Sequence, residues 1–367
     1  MADQTYLFVG SLNRAAPYFQ ATNGTGISLF RFDDTTGQAE LLGETADIDN
    51  PTFLSVDPAR RTLYAGSEVF GRKEGIVAAY RYDLGEGRLD YINMQPALGS
   101  ITAYNSFAGG GRFLLVANYA MGEGGPDRSV AVFPIRDDGG LDPAVSSAAH
   151  EGHGPNAERQ ERSHAHCALE LPGGGQVLVA DLGIDEVVSY RLDPDGRLEP
   201  AGSYATAPGA GPRHLAFHPS KPFVFVINEL GSTISSLSLA ADGALAEIDT
   251  RSALPDGATV HNDCSDLQVS PDGRFLYGCN RGHDSVVVMA VDQDGGRLAT
   301  VQHIPCGGST PRNCALTPSG GHLLVANQNS DVITVFRRDP QSGRLADAGR
   351  PIATGTPMCI KAISASR

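Results

Sequence analysis

The chain has 367 residues and 41% hydrophobic composition, enough length and apolar content to bury a sizeable core. A formal charge of −14, with no local basic run, argues against nucleic acid or an anionic membrane surface as a partner. No apolar run is long enough to span a bilayer, and MADQTYLFVGS enters a strand pattern without a basic or apolar leader, so the expectation is a cytoplasmic protein without a signal peptide.

The first predicted element is the strand YLFVGSL (6–12). FLSVDPARRTLYAGSE (53–68) then introduces a full unit: a strand, a proline-containing turn, a returning strand and a polar residue just past it. The unit recurs as SFAGGGRFLLVANY (106–119), ALELPGGGQVLVADL (168–182), LAFHPSKPFVFVINE (215–229), LQVSPDGRFLYGCNR (267–281) and CALTPSGGHLLVANQ (314–328). A second apolar alternation follows, as in GIVAAYRYD, DEVVSYRLD, DSVVVMAVD and DVITVFRRD, and then a Gly-containing turn. A period of roughly fifty residues is the length of a four-stranded blade, so the pattern predicts an all-β protein, a β-propeller. Glycine (44) and proline (23) fall between the short strands rather than in one tract, as many turns require.

The first unit lacks its opening strand. TPMCIKAI (356–363) resembles the opening strands GPRHLAF and TPRNCAL, and pairing it beside residues 5–11 would complete a blade from both chain ends. Seven blades then close into one domain over 1–367, with no exposed sheet edge at the seam. Between the third and fourth units lies a polar, Gly-rich stretch, 149–163, which reads either as a cover over one mouth of the ring or as a solvated loop.

Within each unit the first strand runs towards the turn and the second runs back. The start of one and the end of the other therefore lie at the same end of the blade. Six residues before the turn proline stand Thr52, Ala103, His166, Arg213, Ser265 and Arg312, with Met358 in the C-terminal strand. Just past the second strand stand Leu12, Glu68, Tyr119, Leu182, Glu229, Arg281 and Gln328. A lone Arg, Glu or His at a strand end is ordinarily solvated or structural. His166, Arg213, Glu229 and Arg281 come from three consecutive blades, and charges gathered at equivalent positions must pair or bind something. These four are the candidate site.

Other polar features carry blander readings. Alternation puts His164 and His166 on one strand face, but no third ligand stands nearby and no metal is expected. His218, Asp57 and Ser270 should make turn hydrogen bonds. The triplets starting at Gly109 and Gly173 stand in place of the Pro-Asp-Gly turn and are not phosphate loops, since no helix pattern follows. Cys167, Cys264, Cys279, Cys306, Cys314 and Cys359 form no Cys-x-x-Cys pair and read as buried, reduced thiols.

At GHGPNAERQERSHAHCALELPGGGQVLVADLG (152–183), GPRHLAFHPSKPFVFVINELGSTI (211–234), SPDGRFLYGCNRGHDSV (270–286) and TPRNCALTPSGGHLLVANQNSD (310–331) the chain resembles the lactonase family of seven-bladed propellers. That family includes cycloisomerase 2-type 6-phosphogluconolactonases and the eukaryotic 3-carboxy-cis,cis-muconate lactonizing enzyme. The joint order of His-Ala-His, Gly-Pro-Arg-His, Asn-Glu-Leu and Asn-Arg-Gly-His-Asp-Ser carries the resemblance, which extends over nearly the whole chain. It implies a small-molecule lactone substrate, no cofactor, and a catalytic set at His166, Arg213, Glu229 and Arg281. His164, Glu68, Tyr119, Arg312 and Gln328 are the expected further substrate contacts.

The expected chemistry is hydrolysis of a sugar-acid lactone, with 6-phospho-D-glucono-1,5-lactone leading. His166 would be the base, Arg213 and Arg281 the donors to developing negative charge or to a substrate anion, and Glu229 an orienting group. A carboxymuconate-type cycloisomerase could use the same residues, and an assay of each substrate separates the two. A non-catalytic interaction scaffold should expose a flat aromatic face, yet the chain has no Trp and 7% aromatics. A metal-dependent lactonase would need a carboxylate and amide cluster at the channel centre. The sequence specifies no oligomeric state.

Overall fold

The repeat units fold as antiparallel strand pairs whose turns use the expected polar groups. In the computed structural model, which describes residues 4–122 and 124–365, Asp57 Oδ1 accepts the N–H groups of Ala59 and Arg60. The first three residues of the segment read for a leader lie outside the described residues. His218 Nδ1 accepts the N–H groups of Ser220 and Lys221, and Ser270 Oγ accepts that of Phe275. The glycines at 109–111 and 173–175 all take positive φ, which closes the first turn without a proline and the second directly after Pro172.

Seven antiparallel sheets result, each with at least four strands. The innermost strands of blades 2 to 7 are Pro51–Asp57, Thr102–Ala108, Ala165–Glu170, Pro212–Phe217, Asp263–Val269 and Pro311–Leu316. Blade 1 combines the chain ends in the order Pro357–Ala365, Gln4–Ser11, Ile27–Asp33, Gln38–Thr45. Its seam is antiparallel, with Thr5 opposite Ser364 and Gly10 opposite Cys359, as the pairing of 356–363 with 5–11 required. Each innermost strand neighbours the next, and the last returns to the first, so the array is a closed propeller.

Burial explains the sequence texture. The second strands, such as Phe113–Asn118, Phe223–Asn228 and His322–Asn327, are buried at every residue because both faces pack against neighbouring blades. They therefore read as continuous apolar runs rather than alternations. The outermost strands, such as Leu198–Ala205, are mostly exposed and polar. The core lies between blades, where Phe8 meets Tyr82 with ring centroids 4.9 Å apart. Each such fully buried aromatic contributes about 1.5–3 kcal/mol. All six cysteines are buried and unpaired by disulfide, with Cys279 packed between blades 6 and 7.

Candidate active site

A bulge in every innermost strand builds the first ring of candidate residues. Ladder pairing skips one residue in six of the strands and two in the seventh. The displaced residues are Thr52, Ala103, His166, Arg213, Arg312 and Met358, with Ser265 and Asp266 displaced together. A bulge bends the strand and re-aims the unpaired side chain. These are the residues six before the turn proline.

One backbone bond per blade locks the second ring to the first. The N–H groups of Leu12, Glu68, Tyr119, Leu182, Glu229 and Gln328 donate to Thr356, Asn50, Ile101, His164, Gly211 and Thr310, each two residues before a bulge. In blade 6, Arg281 is instead the ladder partner of Asp263. Five of the residues before the bulges (Asn50, Ile101, Gly211, Thr310 and Thr356) have positive φ, a strained conformation for β-branched Ile101. Both rings therefore open at one mouth, into a cavity of about 450 Å³.

His166, Glu229 and Arg281 line that cavity, and Arg213 lies against Glu229 in the layer beneath it. Glu229 Oε2 lies 2.8 Å from Arg213 Nε and 2.9 Å from Arg281 Nη2, while Oε1 accepts from Arg159 Nη2. Arg213 Nε is not aligned for a hydrogen bond, so its contact is an ion pair at close range. Burial of the Glu229 carboxylate would raise its pKa, but Arg281, Arg213 and Arg159 outweigh it and hold it far below the usual carboxylate range. Glu229 is thus ionised at neutral pH.

Arg213 is held through Nη1 as well as by Glu229. Its Nη1 donates to the Ser265 carbonyl and lies 3.2 Å from His214 Nε2. A guanidinium can only donate, so His214 Nε2 accepts, Nδ1 carries the proton, and that N–H meets Asp266 Oδ1 at 2.7 Å. Asp266 Oδ2 takes further bonds from Asn313 and the Cys314 N–H. His214 is held neutral, its pKa pulled down to about 4 by burial and then by Arg213. Burial likewise lowers Arg213, to about 9, which leaves it charged at neutral pH. Beneath the cavity only about 10 Å³ remains between His166, Arg213, His214, Arg312 and their neighbours, so this layer is the floor.

His166 stands between that floor and the cavity and borders both. Its Nδ1 is buried without a hydrogen-bond partner. Burial, then the charges of Arg213 and Arg312, depress its pKa well below the ordinary histidine value. The imidazole is therefore neutral and uncommitted.

Glu68, Tyr119, Arg312 and Gln328 line the same cavity. His164 does not, which corrects its expected place beside His166. The bulge at His166 breaks the alternation that would have put both rings on one face. His164 instead stacks on Tyr119 at 4.2 Å, with Nδ1 2.7 Å from the Tyr119 carbonyl and Nε2 3.0 Å from Glu161. It buttresses Tyr119 from behind.

Two loops supply wall residues absent from the repeat registers. Tyr18 and Phe19 follow the strand Gln4–Ser11, and Arg159 sits in the 149–163 insertion. Asp181 bonds His150, Ser163 and the His164 N–H, and the buried Gln160 side chain donates to the Leu182 carbonyl and Asp185. The insertion is therefore pinned at Gln160 and Ser163 and brings Arg159 to the cavity wall, while most of residues 149–158 stay exposed. Nothing in the repeat pattern marks Arg159, which lies in a stretch without a period.

Comparison with known proteins agrees with this architecture. Residues 6–362 match the family described as lactonase, 7-bladed beta-propeller. The chain is 37% identical to a 6-phosphogluconolactonase of Bacillus subtilis, covering 93% of this chain and 95% of that protein. It is 33% identical to a 6-phosphogluconolactonase of Formosa agariphila, covering 92% and 94%. The solved structure of the periplasmic gluconolactonase PpgL of Pseudomonas aeruginosa superposes with a TM-score of 0.89 at 34% identity, covering 98% of this chain and 99% of that one. The chain belongs to the lactonase family of seven-bladed β-propellers.

Proposed function

We propose that this enzyme hydrolyses a sugar-acid lactone, with 6-phospho-D-glucono-1,5-lactone as the leading substrate. The observation that carries the reading is His166: a neutral, unpartnered imidazole bordering a cavity whose walls hold arginines. The relatives from Bacillus subtilis and Formosa agariphila support the phosphorylated substrate by name.

In this reading a water enters beside His166, gives a proton to its ring nitrogen and attacks the lactone carbonyl carbon. The carbonyl oxygen gains negative charge, which the N–H groups of Arg281 and Arg159 stabilise. As the tetrahedral intermediate collapses, the C–O ring bond breaks and the imidazolium returns its proton to the departing oxygen. Glu229 stays ionised throughout and holds Arg159, Arg213 and Arg281 in place. Arg213, bonded through Nη1 to the Ser265 carbonyl and His214 and ion-paired with Glu229, positions the floor rather than touching substrate.

The name of the Pseudomonas aeruginosa neighbour favours unphosphorylated gluconolactone as a second substrate. The test is a panel of phosphorylated and unphosphorylated lactones, with a carboxymuconate lactone included, followed by acid release at neutral pH after subtraction of the spontaneous rate. Saturable turnover of a sugar lactone that persists in a chelator is expected. Turnover of the carboxymuconate lactone alone would replace hydrolysis with cycloisomerisation. We assign the protein to the cytoplasm on its buried, reduced thiols.

A further inference from the structure

Three of the four arginines at the site already donate hydrogen bonds to the protein, and Arg159 and Arg281 keep further N–H groups for substrate. Arg213 and Arg159 are held as described, and Arg281 gives Nε to the Asp263 carbonyl and Nη2 to the Cys264 carbonyl and Glu229. Arg312 differs. Among the described residues its guanidinium makes no hydrogen bond, and its carboxylate neighbour, Glu68 Oε2, stands 3.6 Å away. Its side chain is 15% exposed, lies 6.0 Å from the Phe19 ring centroid and borders the cavity. A largely buried guanidinium with unmade hydrogen bonds is unfavourable until an acceptor completes it.

Its position says which acceptor. Arg312 belongs to blade 7 and His166 to blade 4, three blades apart in a ring of seven and so on opposing walls. Both line the cavity of about 450 Å³, which has room for one sugar-sized molecule in contact with the two. A lactone with its carbonyl carbon at His166 extends its far end towards Arg312. The walls and floor carry Arg159, Arg213, Arg281 and Arg312 against Glu68, Glu229 and Asp263, a local positive excess on an acidic chain.

We propose that Arg312 is the anchor for an anionic tail, a phosphate monoester at the end of the substrate remote from the lactone carbonyl. The planar fork of N–H groups matches two phosphate oxygens, and Glu68 at 3.6 Å keeps the side chain in place without occupying that fork. The proposal rests on the lactonase reading for the direction in which substrate lies.

The test uses the full chain and the variants Arg312→Gln and Arg312→Lys, with thermal melts to establish folding. Calorimetry with 6-phosphogluconate, gluconate and inorganic phosphate measures binding independently of turnover. Wild type should bind 6-phosphogluconate at least about tenfold more tightly than gluconate, and Arg312→Gln should erase that difference. The preference in kcat/KM for the phosphorylated over the unphosphorylated lactone should fall by about the same factor, with Arg312→Lys between the two. A folded Arg312→Gln or Arg312→Lys protein that keeps the full wild-type preference overturns the proposal. So does an equal fall in kcat on both lactones, which would put Arg312 at the reacting atoms. If wild type turns over no lactone, the hydrolase reading fails by itself, and the calorimetry still decides the anchor.

Discussion

A histidine pressed by burial and by cations keeps its neutral form into acid. His166 is held well below its ordinary value of 6.5, so the acid limb of the lactonase pH profile should lie below pH 6.5. His166→Ala should lower kcat by about 100-fold or more, whereas His164→Ala, acting only through Tyr119, should cost less. Near wild-type turnover in His166→Ala would remove His166 as the base. The same shifts act on stability. The unfolded chain binds a proton on His214 below about pH 6.5, and the folded chain not until about 4, so stability should fall across that window. Glu229 and Asp266 have depressed values, so their contribution is present above the ordinary carboxylate range and lost as pH falls through it. Denaturant melts at pH 7 and pH 5 check the first stage; equal stability at both would contradict a neutral, buried His214. Glu229→Gln leaves Arg159, Arg213 and Arg281 facing an uncharged amide, and should cost about 3–5 kcal/mol along with most activity. A melt unchanged from wild type would refute the three-arginine clamp.

The bulged strand start is the element that makes the site. It turns one residue per blade, or two in blade 6, out of the ladder, and the chemistry then varies from Thr52 to His166 to Arg312 on a constant backbone. The insertion is the second such element. Gln160 is its central pin, so Gln160→Ala should speed hydrogen exchange over 149–163 and lower activity by releasing Arg159. Unchanged exchange would mean that the Asp181 contacts alone hold the loop.

At the scale of the molecule, closure depends on the last strand. Pro357–Ala365 pairs with Gln4–Ser11 and neighbours the innermost strands of blades 2 and 7. Deleting residues 356–367 should expose strand edges and an apolar seam, and the product should aggregate rather than lose activity mildly. Light scattering and a melt decide this, and a soluble truncation melting like the full chain would refute the seam.

The propeller was legible because periodicity is local: each blade repeats the same turn chemistry and buried strand, so the seven units, the split first blade and both rings of site positions follow from spacing. His166, Arg213, Glu229 and Arg281 could be named together for that reason. Arg159 and Tyr18 could not, because they lie in loops without a period, and what brings them to the cavity is contact with residues far along the chain, Glu229 for Arg159 and Phe70 for Tyr18. Nor does spacing reveal a bulge, so the strand rule put His164 beside His166 where the structure turns it behind Tyr119. Which of the two ring arginines donates no hydrogen bond to the protein was likewise decided only by folding. Arg213 and Arg312 hold equivalent sequence positions, yet His214, the Ser265 carbonyl and Glu229 surround one, while the other has only Glu68 at 3.6 Å. Periodicity assigns a residue its place on the ring, and partners brought together from separate blades assign its charge and its freedom to bind.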